Sequence, residues 1–157
     1  SGTSGRWYAI NEEFKNHGIE ASIRGQEGNG FTWHAGLTWQ DPKSKQTTEK
    51  TSAKRYWDRS YGRILLTGGV GYEKEKWTTA LNFSYLADRV QSPLAAHSHS
   101  VKPYLLTSMT VKYSPNKSSD IMLAIDNLLN RKDIVSHTTS DYYATPRNLI
   151  LSYRYKF

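Results

Sequence analysis

His97 and His99 stand two residues apart in the polar stretch AAHSHS. A neutral imidazole ligates haem iron or another metal. Residues at i and i+2 of an extended segment point to opposite sides, so this pair makes a poor chelate by itself, and both histidines are equally at home as polar loop residues. A second candidate is DPKSKQTTEKTSAKRYWDRSYGR, where Arg55 and Arg59 bracket Tyr56 and Trp57 among several lysines. Guanidinium groups grip carboxylates and phosphates through paired hydrogen bonds. The stretch therefore suits an anionic ligand or lipid phosphates, against the plainer reading of a solvated loop with internal charge pairs. Catalysis is not expected. Glu20, Asp88, Asp120 and Asp126 fall on different strands with no nucleophile or metal set beside them. TGGVGYEK lies in a strand rather than in a phosphate-binding loop, and the chain has no cysteine.

The elements that carry these residues are strands. The net charge is +7 and the mean hydropathy is −0.70, yet 13% of the residues are aromatic. A chain that is polar on average but rich in aromatics fits strands with only one apolar face. Strict alternation recurs along the sequence. FTWHAGLTWQ sets Phe31, Trp33, Ala35, Leu37 and Trp39 against Thr32, His34, Gly36, Thr38 and Gln40. The pattern returns over Ile19–Ile23, Ile64–Tyr72, Trp77–Asp88, Leu105–Tyr113, Asp120–Leu129 and Leu149–Phe157. That predicts an all-β antiparallel sheet of about seven strands, each near the length that crosses a bilayer at a tilt. No apolar run is long enough for a membrane-spanning helix.

The connections are more telling than the strands. EGNG, EKEK and SPNKSS are short, whereas Asp41 to Tyr61, Arg89 to Pro103 and Arg131 to Pro146 are long and polar. Short turns on one side and long loops on the other are the habit of a transmembrane β-barrel. The first strand descends from the long-loop side and the last ends on the short-turn side. Residues 1–157 are therefore expected to be the C-terminal part of a larger barrel, whose earlier strands pair with Trp7–Ile23 and with Pro146–Phe157. A small complete barrel with a structural or adhesive role is the alternative, and would need eight closed strands. A water-soluble sandwich or lipocalin-like binder would instead bury Trp33, Trp39, Trp77 and Phe83.

Several segments resemble the TonB-dependent outer-membrane receptors. NEEFKNHGIE matches their N-x6-G-[VI]-E segment through Asn11, Gly18, Ile19 and Glu20. NLLNR (Asn127–Arg131) is similar to their NL-[FL]-[DN]-[KR] segment, with Ile134 where an aromatic is usual. YLADR (Tyr85–Arg89) and the closing TPRNLILSYRYKF complete an ordered set. The resemblance implies a barrel of about 22 strands around a plug domain, with this chain supplying roughly the last seven and with the plug and earlier strands outside it. It implies energised uptake through TonB of a ferric siderophore, haem or cobalamin, with no intrinsic cofactor. The implied surroundings are outer-membrane lipid and lipopolysaccharide, and no nucleic acid. It also implies that Tyr153, Tyr155 and Phe157 form the signal read by the barrel-assembly machinery, beyond the interfacial packing that alternation alone gives them.

Overall fold

The computed structural model describes residues 10–48, 58–59, 62–90, 100–137 and 140–157, with no side-chain description at 10–12, 44–48, 58–59, 90, 100 and 136–137. In chain order the strands are β1 (Ile10–Lys15), β2 (Gly18–Gln26), β3 (Phe31–Gln40), β4 (Lys43–Thr48) and β5 (Asp58–Arg59). Then come β6 (Ile64–Lys74), β7 (Trp77–Ala87), β8 (Arg89–Val90), β9 (Ser100–Val101) and β10 (Tyr104–Asn116). The chain closes with β11 (Ser119–Asp126), β12 (Ile134–His137), β13 (Asp141–Tyr143) and β14 (Asn148–Tyr155). Seven of them form one antiparallel sheet in the order β14-β11-β10-β7-β6-β3-β2. Apart from the reversal of direction, this is the order of the sequence, as hairpins joined one after another require.

The register decides which residues share a face. Ile23, Ala35, Gly68 and Phe83 lie on one line across four strands. Val70, Leu81, Met109, Ile125 and Leu149 lie on another, across five. Because side chains alternate with period two, every large apolar residue on these lines faces the same way. The residues between them, such as Glu20, Arg24, Thr32, His34, Asn82, Ser108, Lys112, Asp120 and Arg154, face the other way. Among the described residues no hydrophobic side chain is buried, and Leu151 is 73% exposed. Soluble monomers rarely show a contiguous apolar patch above a few hundred Å², so the apolar side of this sheet is a surface to be covered, as the expected outer side of a barrel wall would be by lipid. Among the described residues no second sheet covers Trp39, Trp77 and Phe83, which are exposed where a soluble sandwich would bury them. Nor, among those residues, does the sheet close on itself as a small eight-stranded barrel: β2 and β14 are each paired on one side only.

Turn chemistry fixes the narrow end. At the β2–β3 turn Glu27 N donates to Phe31 O (2.7 Å) and Phe31 N to Asn29 Oδ1 (3.1 Å). Gly30 has a φ of +89°, and a Cβ there would come within 1.9 Å of Glu73 O. Only glycine permits both that dihedral and that approach. Glu75 takes a φ of +54° in the two-residue β6–β7 turn. Between Tyr113 and Asn116 the register with β11 slips by one, at the position of Pro115, which has no N–H to give. Lys156 N donates to Ser118 O (2.7 Å), so the C-terminal residues sit beside the short turns.

The long connections carry strands of their own: β4 and β5 lie in the first, β8 and β9 pair in the second, and β12 and β13 pair in the third. β1 runs antiparallel to β4, and the other edge of β1 and β2, expected to pair outside the chain, has no partner among the described residues. One expectation needs correction. The β11 alternation stops at Asp126, and Leu129 belongs to a turn.

The β1–β4 ladder keeps the register of β2–β3. From Gln26–Thr32 through Gly18–Gln40 to Ile10–Thr48 the partners never slip. The ladder is interrupted only around Pro42, whose missing N–H removes a rung, and Asp41 N still donates to His17 O (2.8 Å). This is one long hairpin that rises past the end of the seven-stranded sheet.

Candidate functional site

The outer end of the sheet, where the long connections leave, holds two polar clusters. The first is centred on Asp41, whose side chain is 11% exposed. Lys43 Nζ stands 2.8 Å from its Oδ2, Arg63 Nη2 3.0 Å from Oδ1 and His17 Nε2 4.0 Å from Oδ2. The hydrogen bond from Lys43 holds the Asp41 carboxyl below its usual range, against the opposing effect of burial, with Arg63 and His17 adding to the lowering. Arg63 also reaches Asp88 Oδ2 at 3.7 Å. Its backbone N donates to Asp88 O (3.3 Å) and its carbonyl accepts from Gln40 N (2.8 Å). Asp88 adopts a φ of +53°, a conformation that Asp tolerates better than most residues.

The second cluster ties the β7–β10 connection to the β11–β14 connection. Buried Arg89 donates to Lys102 O and Ile134 O and lies 4.7 Å from the centre of the Tyr104 ring. Asp133 accepts from Leu105 N (2.9 Å) and makes a two-pronged pair with Arg131 (2.8 and 3.1 Å). The Arg131 bond holds the Asp133 carboxyl low, and the Leu105 N–H adds to it. Asn127 closes the turn after β11. Its φ is +51° and the residue is buried. Its amide donates to Arg131 O (2.9 Å) and Thr145 O (2.7 Å), and its Oδ1 accepts from Arg131 N (3.0 Å). Asn130 Oδ1 then accepts from Arg147 N (3.0 Å), where the chain turns into β14. The Asn127–Arg131 motif is thus a clamp that brings both ends of a long connection together.

The candidate ligand-contact residues His97, His99, Arg55, Tyr56 and Trp57 lie outside the described residues. Arg59 is described by its backbone alone, opposite Lys43 in the β4–β5 pair. At the other end of the wall Tyr153 and Tyr155 lie on the apolar side of β14, with Phe157 following. Tyr155 and Phe157 meet edge to face at 5.1 Å, and the Tyr153 hydroxyl lies 3.2 Å from Ser119 Oγ. Of the candidate carboxylates, Asp120 pairs with Arg154 (2.8 Å) and accepts from Ser114 Oγ (2.7 Å). These contacts account for it without catalysis. His34 packs on the polar side across Gly69 against Asn82, a structural position. Asp41 and Asp133 were not singled out by sequence, Arg63 was read only as the end of a basic stretch and Arg89 only as the close of the YLADR motif. The signal that could have found them is that each sits at or near a junction between an alternating run and a long connection.

Comparison with known proteins agrees with this geometry. The family model described as TonB dependent receptor-like, beta-barrel matches residues 1–128. The ferric-pyoverdine BN7/BN8 receptor of Pseudomonas putida is 22% identical over 160 residues, covering 96% of this chain and 18% of that protein. A chain of the FpvAI–pyocin S2 complex superposes with a TM-score of 0.67 at 20% identity, over 92% of this chain and 19% of its own length, which is a likeness of fold. The chain therefore spans about a fifth of the length of these relatives. With one face largely apolar, short turns at one end, long connections at the other and a family model over most of its length, this chain belongs to the TonB-dependent receptor-like β-barrel family.

Proposed function

We propose that the chain is a section of the wall of an outer-membrane receptor that imports an iron complex by energy drawn through TonB. A ferric siderophore is the first choice of cargo, with haem and cobalamin next. The observation that carries this is the division of one seven-stranded sheet into an apolar and a polar face, in a chain of this family. The 22% likeness to a ferric-pyoverdine receptor supports an iron chelate as the cargo. In this reading the plug domain and the remaining strands lie elsewhere in the protein. The polar face, with Arg24, His34 and Lys112, looks onto the plug. The long connections capture ligand, with His97, His99, Arg55, Tyr56, Trp57 and Arg59 as the contacts.

The test is uptake of radiolabelled ferric siderophore by iron-starved cells expressing the complete protein that carries this chain. Uptake should stop when a protonophore collapses the proton gradient, and Arg55→Gln with Arg59→Gln should weaken capture of an anionic chelate by about tenfold or more. Binding of haem instead, with a Soret band lost on changing His97 and His99 to alanine, would move the cargo to haem. No uptake of any iron complex or cobalamin would sink the reading.

The closing aromatics are proposed to be the signal for barrel assembly. Their support is their position, exposed together on the lipid side at the short-turn end. Phe157→Ala should cut the amount of assembled protein severalfold while leaving the stability of what does assemble within about 1 kcal/mol of the parent. Undiminished assembly would leave these rings as interfacial packing alone.

A further inference from the structure

β10 is longer than the strand beside it. Its ladder with β7 starts at Tyr104, opposite Leu86, but its ladder with β11 starts only at Ser108, opposite Asp126. Residues 104–107 therefore turn an edge toward the β11 side that no strand fills among the described residues. Main-chain groups on such an edge need other partners. The connection after β11 supplies them. Leu128 N donates to Thr107 O (3.1 Å), Leu129 N to Thr107 Oγ1 (3.3 Å), and the Asp133 carboxylate accepts from Leu105 N (2.9 Å). Asp133 Oδ2 is a side-chain rung that continues the ladder beyond the end of β11.

The next residue meets a different strand. Ile134 O accepts from Arg89 Nη1, just beyond the end of β7. The same nitrogen donates to Lys102 O (3.2 Å), on the return of the second connection. The guanidinium lies over the ring of Tyr104, the residue before Leu105. Arg89 is only 8% exposed. A buried guanidinium is tolerated only while its donors are met. If Ile134 moved off β10, Arg89 would lose an acceptor where water reaches it poorly. If Lys102 moved, it would take with it the carbonyl and the neighbouring ring that hold the guanidinium toward Ile134. Neither root can open without unpairing a group that the other one holds.

We infer that Arg89 fastens the roots of the second and third long connections into one cooperative unit, which opens as a whole and not one connection at a time. Arg89 is a positioning residue in this unit and has no need to touch cargo. The Asn127 turn closes the far side of the third connection and lies outside the unit. The inference goes beyond the transport reading and holds for any cargo. If the connections capture ligand, a ligand held by one of them steadies the other.

The test is amide hydrogen exchange read by mass spectrometry on the complete protein in lipid nanodiscs, with no cargo added. Heat-modifiable gel migration and unchanged exchange in β2, β3 and β6 check that each variant is folded. Asp133→Ala removes the rung to Leu105, and no hydrogen bond from Asp133 reaches β8 or β9 among the described residues. Exchange in the β8–β9 ladder should nevertheless rise about tenfold. Arg89→Gln leaves the rung in place, and exchange at Leu105 should rise by a similar factor. The double variant should exceed either single change by less than about twofold, because one opening already releases both roots. Effects confined to the side that was changed, or single effects that multiply in the double variant, overturn the unit. If Arg89→Gln does not assemble, Arg89→Lys carries the same comparison, since it keeps the charge but not the planar stack on Tyr104. A rise of about threefold is then expected at Leu105, and no rise overturns the unit. Because no cargo is used, failure here leaves the transport reading standing, and absent uptake leaves the unit standing.

Discussion

Replacing Leu81 by arginine lowers the unfolding free energy of the complete protein by about 2–4 kcal/mol, the range for a cation at the midplane of a lipid-facing barrel surface. Leu81 is the middle of β7, faces Val70 and Met109 across both ladders, and is 38% exposed on the apolar side. Thr110→Arg puts the same charge one row away, on the polar side between Ala80 and Ala124, and costs within about 1 kcal/mol. Urea unfolding in lipid vesicles, followed by tryptophan fluorescence, measures both. The contrast matters more than either value, because the two sites share strand environment and depth and differ in face. Equal costs, or a larger cost at Thr110, would mean that the apolar side is not the lipid side.

Asn127→Ala is the second large effect. It removes two donors and an acceptor from a buried turn and puts a Cβ-bearing residue without side-chain polar atoms at a φ of +51°. Arg131 N, Arg131 O and Thr145 O lose their partners together. Unpaired buried polar groups cost about 1–3 kcal/mol each, and partial access to water brings the expected total to roughly 2–4 kcal/mol. Asn127→Gly restores the backbone freedom but not the bonds, so it should recover only the strain, about 1 kcal/mol. Hydrogen exchange should show lost protection at Arg131 N and Ala144 N with β7 and β10 unchanged. Loss spread evenly over the sheet would refute a local clamp.

The seven-stranded sheet was legible because period-two alternation is a local signal that survives even where no core exists to enforce it. Trp33, Leu37 and Trp39 announce their face before any partner is known. The short turns were legible for a similar reason, since the positive φ of Gly30 and the missing N–H of Pro115 act locally, although the approach of Glu73 O to Gly30 does not. The outer end was not. Asp41 meets Arg63 across a 22-residue separation, and Arg89 meets Ile134 across 45. Nothing in the composition of either connection says which residue it will meet. The pairing of β1 with β4 was missed because INEEFK and KSKQTT lack an apolar alternation. Their strand character comes from extending a ladder that β2 and β3 have already begun.

That ladder has a consequence for how the protein tolerates change. From the tight turn at Gly30 to Thr48 the two arms count together, and side chains alternate between the two sides of the wall at every step. Adding or removing a single residue below Lys15 or Lys43 would exchange inside for outside along the whole projecting part of that arm. A cation that now stands on the apolar side would be carried onto the polar side. Changes of two residues leave the sides as they are, and changes beyond Thr48 do not enter the count. The projecting hairpin therefore imposes a parity on length variation that an irregular loop of the same size would not have.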